Sequence, residues 1–196
     1  MSNQAGFPTL MAQPRRWDVI SGFMTQMGLK TFVELGCKEG RTTGHILKSV
    51  QDSRVIAIDP WMPMPQQKGV VGGETYEEWD FAKIEAQFWE NVGDSKHRCE
   101  MLRMTSDIAS EKLDGKQFDA IFIDAAHDYV NVMADIKRWW PKVRDGGLLI
   151  GHDANHKWPG VERAIADSFN LMDVGFAPDS IWFVLKQPYM KLREAA

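Results

Sequence analysis

Short apolar runs recur along this chain, and each is followed by a polar turn and a stretch with helical spacing. Thr31–Leu35, Arg54–Ile58, Cys99–Arg103, Phe118–Ile123 and Gly147–Ile150 have the length of strands. Arg54–Ile58 and Phe118–Ile123 are almost continuously apolar, as strands covered on both faces are. In Arg15–Met27, Trp17, Ile20, Met24 and Met27 recur at helical steps, and Gly28 stands where a C-cap is wanted. Arg41–Val50, Tyr76–Val92, Asp107–Leu113, Tyr129–Val143 and Val161–Phe169 read as further helices. Val174–Phe176 and Ile181–Leu185 read as a closing strand pair. Alternation at this pace predicts an α/β fold, a doubly wound Rossmann-like sheet with helices on both faces. In such sheets a ligand binds beyond the carboxyl ends of the strands, where the strand order reverses.

The 196 residues suit one domain, 1–196, and 44% hydrophobic residues with 10 Phe, 8 Trp and 11 Met supply its core. Residues 1–14 read as a loose N-terminal segment. No apolar run approaches the roughly 20 residues of a membrane span. The N-terminus has neither the basic nor the apolar region of a secretory signal, so a cytoplasmic protein is expected. A net charge of −4 lacks the electrostatic footprint of a nucleic-acid binder. Cys37 and Cys99 have no metal-ligand spacing and read as free thiols.

The chemistry should therefore lie just after each strand. Glu34-Leu-Gly36-Cys37-Lys38-Glu39-Gly40 follows the first, and Arg41-Thr42-Thr43 opens the next helix. Glycines let backbone approach a ligand, and the helix N-terminus offers free N–H donors. A dinucleotide fingerprint needs glycine at 38, where this chain has Lys. Asp59 follows the second strand, close to the spacing expected of an acid that binds a ribose diol. Ser106 and Asp107 follow the third, as helix caps or as contacts to a base. Asp124, His127 and Asp128 follow the fourth, and His152 and Asp153 the fifth. Asp128 suits an N-cap. Neighbouring strands lie about 4.8 Å apart, so Asp124, His127, His152 and Asp153 would converge. Two carboxylates and two imidazoles together are costly unless they bind or react with something. Residues 61–75, rich in proline and glycine, read as a lid loop.

Val33–Thr43 resembles the first motif of class I S-adenosylmethionine-dependent methyltransferases, and Val55–Asp59 resembles their second. Phe118–Tyr129 and Trp139–Asp153 are similar to a subgroup called the methyltransferase 24 family, as is Trp158–Ile165. The resemblance runs from about Phe32 to Leu185. It implies a seven-stranded, mostly parallel sheet with the last strand antiparallel. It also implies the donor over Gly36 and Gly40, its ribose on Asp59, Ser106 near the adenine and Asp124 near the methionine end. Glu34 would organise the turn from beneath, with Cys37, Thr42 and Thr43 also in the donor site. The departures are Lys38, in place of the middle glycine, and Ala126, where related metal-assisted enzymes often carry an acid.

The leading expectation is methyl transfer from S-adenosyl-L-methionine to a hydroxyl of a small molecule or sugar. The site then holds a divalent metal, Mg²⁺ or Mn²⁺, on Asp124, Asp153 and His152, or it uses His127 as base. Alternatives are an inactive protein of the same fold that binds the donor or adenosylhomocysteine, and an NAD-dependent oxidoreductase. The aromatics from Trp79 to Trp89 suit either a homodimer surface or packing on the sheet.

Overall fold

The computed structural model describes residues 13–63, 70–71, 74–75 and 79–193. Seven strands form one sheet: β1 Thr31–Leu35, β2 Arg54–Asp59, β3 Cys99–Arg103, β4 Phe118–Ile123, β5 Val143–Gly151, β6 Val174–Ala177 and β7 Ile181–Leu185. Their order is β3-β2-β1-β4-β5-β7-β6. The first five are parallel, and β7 runs antiparallel to both β5 and β6. From β1 the chain moves outward to β2 and β3. It then returns to lay β4 on the other side of β1, which creates the reversal point there.

Alternation within the strands makes two cores. Phe32, Ala120, Phe122, Leu148 and Ile150 face one side, with Ile20 and Met24 of α1 (Arg16–Met27), Ile46 of α2 (Arg41–Ser49) and Phe88 of α3 (Phe81–Val92). Val33, Leu35, Ile121, Ile123 and Leu149 face the other. There they meet Ala109 of α4 (Ser106–Lys112), Trp139 of α5 (Tyr129–Trp139) and Ile165 of α6 (Pro159–Ser168). Each strand therefore has apolar side chains in both directions, which explains the near-continuous runs of the sequence.

Three boundaries differ from the sequence reading by more than two residues, the first being the helix expected from Tyr76, which starts at Phe81 with Asp80 as its N-cap. The helix expected to reach Val143 ends at Trp139, and a 3-10 turn spans Trp140–Lys142. Pro141 has no N–H to continue the ladder. β5 then begins at Val143 rather than Gly147, because Phe118 of β4 pairs with Val143 across a register shift. Asp128 caps α5 as expected, accepting from the amides of Val130 and Asn131. Residues 1–12, most of the expected lid and the first turn expected of the helix from Tyr76 lie outside the described residues. Within the lid, Val70–Val71 and Glu74–Thr75 pair as a small antiparallel hairpin. Among the described residues no helix is long and apolar enough to cross a membrane.

Away from the strands' carboxyl ends, Asp119 ties β4 to its neighbours. Its carboxylate accepts from the amides of Lys30 (2.8 Å) and Thr31 (2.7 Å), from the Thr31 hydroxyl, and from Arg144 Nε of β5. Burial would raise its pKa, but these donors hold it at about 2. Such a carboxylate stabilises the fold above its unfolded pKa of about 3.9, and the contribution is lost as pH falls through the folded value. Asp119→Ala should lower unfolding free energy at pH 7 by about 2–4 kcal/mol in urea titrations. The deficit should shrink as pH falls from about 4 towards 2; a constant deficit would contradict this account.

Candidate active site

The site is assembled around the turn that leaves β1. Gly36 has φ 85°, and a Cβ there would lie 2.2 Å from the Asp124 carbonyl oxygen. Only glycine lets the ends of β1 and β4 approach so closely. The Gly36 amide donates to Ile58 O and the Asp124 amide to Leu35 O, both at 2.9 Å, so the ends of β2, β1 and β4 are locked together. Gly40, with φ 71°, starts α2 against the ring of Phe88.

Lys38 lies between them with φ 46°. Its amide donates to Asp59 Oδ2 at 3.0 Å, and its carbonyl accepts from the Trp61 indole at 3.0 Å. Its ammonium sits 3.9 Å from the ring centroid of Trp79. Asp59 Oδ1 accepts the Trp61 amide at 2.8 Å. Burial raises the pKa of Asp59, and these amide bonds oppose the rise. Beneath the turn, buried Glu34 accepts the Thr43 hydroxyl, and the Cys37 thiol contacts the carbonyls of Glu34 and Ile58. Burial pushes Glu34 up to about 8, against the Thr43 bond and with help from the Asp124 charge.

A cleft of about 1030 Å³ runs over the ends of β4, β1, β2 and β3. Glu34, Gly36, Cys37, Thr42, Asp59 and Ser106 line it; Gly40 and Thr43 are buried and do not. At the β3 end, the Ser106 hydroxyl donates to Asp135 Oδ1 at 2.5 Å. Burial lifts Asp135 to about 6, opposed by the bond from Ser106. Thr105, not Ser106 or Asp107, occupies the N-cap of α4.

At the β4 and β5 end the four expected residues do meet. His127 Nε2 lies 2.7 Å from Asp153 Oδ2, and its ring stacks on Trp158 at 4.4 Å. His152 Nδ1 lies 3.1 Å from Asp153 Oδ2 and 3.5 Å from Asp124 Oδ1. Among the described residues neither buried nitrogen of His152 has an aligned hydrogen-bond partner. Burial disfavours a charged His152, but the two carboxylates outweigh it and raise the pKa to about 9. Burial would raise Asp153, yet His127 and His152 hold it well below the usual carboxylate range. Arg16 of α1 completes the group, with Nε 3.4 Å from Asp124 Oδ2. His156 is exposed in the following loop.

Asp124, His152 and Asp153 each offer a ligand atom, and these lie within 4.8 Å of one another. A nook of about 10 Å³ opens beside them, room for one water or ion. The unaligned His152 nitrogens and the mixed oxygen and nitrogen donors fit a divalent cation, which would have to displace the proton that the two carboxylates favour on His152.

Sequence reasoning missed Arg16, Trp61, Asp135 and Trp158. The apolar stripe of α1 drew attention from Arg16, and Asp135 lies inside a helix rather than after a strand.

The model of the methyltransferase 24 family, described as a methyltransferase domain, matches residues 33–154, more than half of the chain. The chain belongs to that family. Its fold is that of class I S-adenosylmethionine-dependent methyltransferases. It is similar to cofactor-bound Rv0187 from MTB, with TM-score 0.62 and 14% identity over 92% of this chain and 84% of that one. An O-methyltransferase from Bacillus cereus in complex with SAH gives 0.58 and 16%, over 91% and 84%. TomG, an O-methyltransferase from Streptomyces achromogenes involved in tomaymycin synthesis and in complex with SAM, gives 0.60 and 11%, over 91% and 83%. No curated protein matches the sequence.

In this methyltransferase Glu34 is protonated at neutral pH, whereas an unfolded Glu ionises near 4.3. Between those values the folded state holds the extra proton, so its stability falls as pH rises. Glu34→Gln should remove that slope. Its stability relative to the parent should climb from pH 5 to pH 8 in ligand-free unfolding titrations, and parallel curves would refute the assignment.

Proposed function

We propose that this methyltransferase transfers the methyl group of S-adenosylmethionine to a hydroxyl of a small-molecule or sugar acceptor. The observation that carries the reading is the convergence of Asp124, His127, His152 and Asp153 at one end of the cleft, with Asp59 and the glycine turn beside it. The ribose hydroxyls donate to Asp59, whose oxygens keep lone pairs beyond the two amide bonds. Gly36, Cys37, Gly40 and Thr42 form the turn under the donor, Glu34 and Thr43 brace it, and Ser106 faces the adenine. Asp124 lies at the methionine end.

The acceptor oxygen attacks the methyl carbon in line with the sulfur. The C–S bond breaks, and adenosylhomocysteine and a methyl ether result. The donor is already activated, so the protein mainly aligns the acceptor and removes its proton. A neutral His127 donates from Nε2 to Asp153, which leaves Nδ1 to take that proton. Trp158 fixes the ring plane by stacking. A divalent cation such as Mg²⁺ or Mn²⁺, held by Asp124, His152 and Asp153, would lower the pKa of the acceptor hydroxyl.

Asp59→Ala should weaken adenosylhomocysteine binding by about 1.5–3 kcal/mol for each hydrogen bond lost. Unchanged affinity by calorimetry would remove Asp59 from the donor site. With a methylatable acceptor, His127→Ala should lower turnover about 10²–10⁴-fold. Chelation should abolish turnover, and Mg²⁺ or Mn²⁺ should restore it. Activity that survives both treatments would eliminate this chemistry.

A further inference from the structure

Asp135 is a poor residue for its position if packing were its whole purpose. It lies in the middle of α5, is 4% exposed, and still lines the cleft. Its one side-chain hydrogen bond among the described residues comes from Ser106. Ser106 is the first residue of α4, where a serine hydroxyl usually serves the free amides of the helix start. Here it turns instead to a carboxylate on another helix.

The direction of that bond has a chemical consequence. A hydroxyl has one proton and two lone pairs, whereas a carboxylate can only accept. With Asp135 ionised, the Ser106 proton must point at Asp135. The Ser106 oxygen then has only lone pairs to offer a ligand. Asp59 pairs with Arg103 across β2 and β3, so a nucleoside whose ribose lies on Asp59 has its base one strand outward, towards Met104–Ser106.

We propose that Asp135 is a specificity-determining positioning residue that makes Ser106 an obligate acceptor, so this subsite selects a purine with an exocyclic 6-amino group and rejects a 6-oxopurine. The inference rests on the donor site described above. A 6-amino group donates a proton to Oγ of Ser106. A 6-oxo group meets it lone pair to lone pair, and a site built to receive a donor discriminates against a ligand that lacks one.

Calorimetry with adenosylhomocysteine and S-inosylhomocysteine separates the outcomes. The parent protein should prefer the adenine ligand by about tenfold or more, the scale of one hydrogen bond gained against one opposed. In Asp135→Asn the amide can donate to Ser106 and turn its proton into the cleft, and the preference should fall about tenfold. Ser106→Ala should lose it to a similar extent, and Asp135→Glu, still only an acceptor, should keep it. Equal weakening of both ligands by Asp135→Asn would reduce Asp135 to a packing role and overturn the proposal. Should that variant not fold, a preference retained in Ser106→Ala or lost in Asp135→Glu would overturn it as well. Failure of the parent to bind adenosylhomocysteine would instead overturn the donor site itself, and this inference with it.

Discussion

The contact between the backbones of Gly36 and Asp124 governs the rest of the molecule. It occurs where β1 lies between β2 and β4, with no room for a side chain. The amides of Gly36 and Asp124 donate across adjacent strands there. Both strands therefore end at the same height, and the turns that leave them diverge to opposite faces. The cleft is the gap left by that divergence. A side chain at 36 would push β4 away and carry Asp124 with it, since the obstructing atoms are backbone and cannot rotate aside.

Three carboxyl groups gather at this gap. Glu34, Asp124 and Asp153 all line it, Glu34 fully buried and the two aspartates partly so. The structure handles each acid differently. Glu34 is kept neutral by burial. Asp124 has Arg16. Asp153 sits between two imidazoles, with His127 at 2.7 Å. Separated environments of this kind let neighbouring carboxyl groups hold different protonation states at one pH. The Asp124 and Asp153 carboxylates line the cleft already matched by Arg16 and the two imidazoles, so a cation that arrives there competes with those partners.

Much of this was legible in the sequence because buried parallel strands leave a plain trace. The apolar runs located the strand ends, and the strand ends located Asp59, Asp124, His127, His152 and Asp153 without any three-dimensional information. The trace fails where local chemistry misleads. Val143-Arg-Asp-Gly-Gly147 has turn composition, yet it lies in β5, because pairing with Phe118 and a glycine at φ 73° absorb the irregularity. Arg16 and Asp135 were illegible for a different reason. Each belongs to a helix whose pattern is satisfied by other residues, and charged side chains on a helix usually face solvent. Their role depends on how α1 and α5 pack on the sheet, which periodicity does not report.

Lys38 shows how a departure from a family motif can be absorbed. Glycine at this position would adopt a positive φ freely, whereas lysine at φ 46° is strained. Each polar group of Lys38 has a fixed partner: the amide has Asp59, the carbonyl has the Trp61 indole, and the ammonium has Glu39 and the face of Trp79. Trp61 is itself buried edge-on against Phe88, the ring that packs under Gly40. The strained residue is thus clamped between the two glycines by a chain of contacts running from β2 to α3. A glycine would avoid the strain but would have no side chain to reach Trp79, and the turn would have more freedom before a ligand arrived. The substitution therefore exchanges local strain for a turn already held in the shape that its amides need, so less ordering remains to oppose binding.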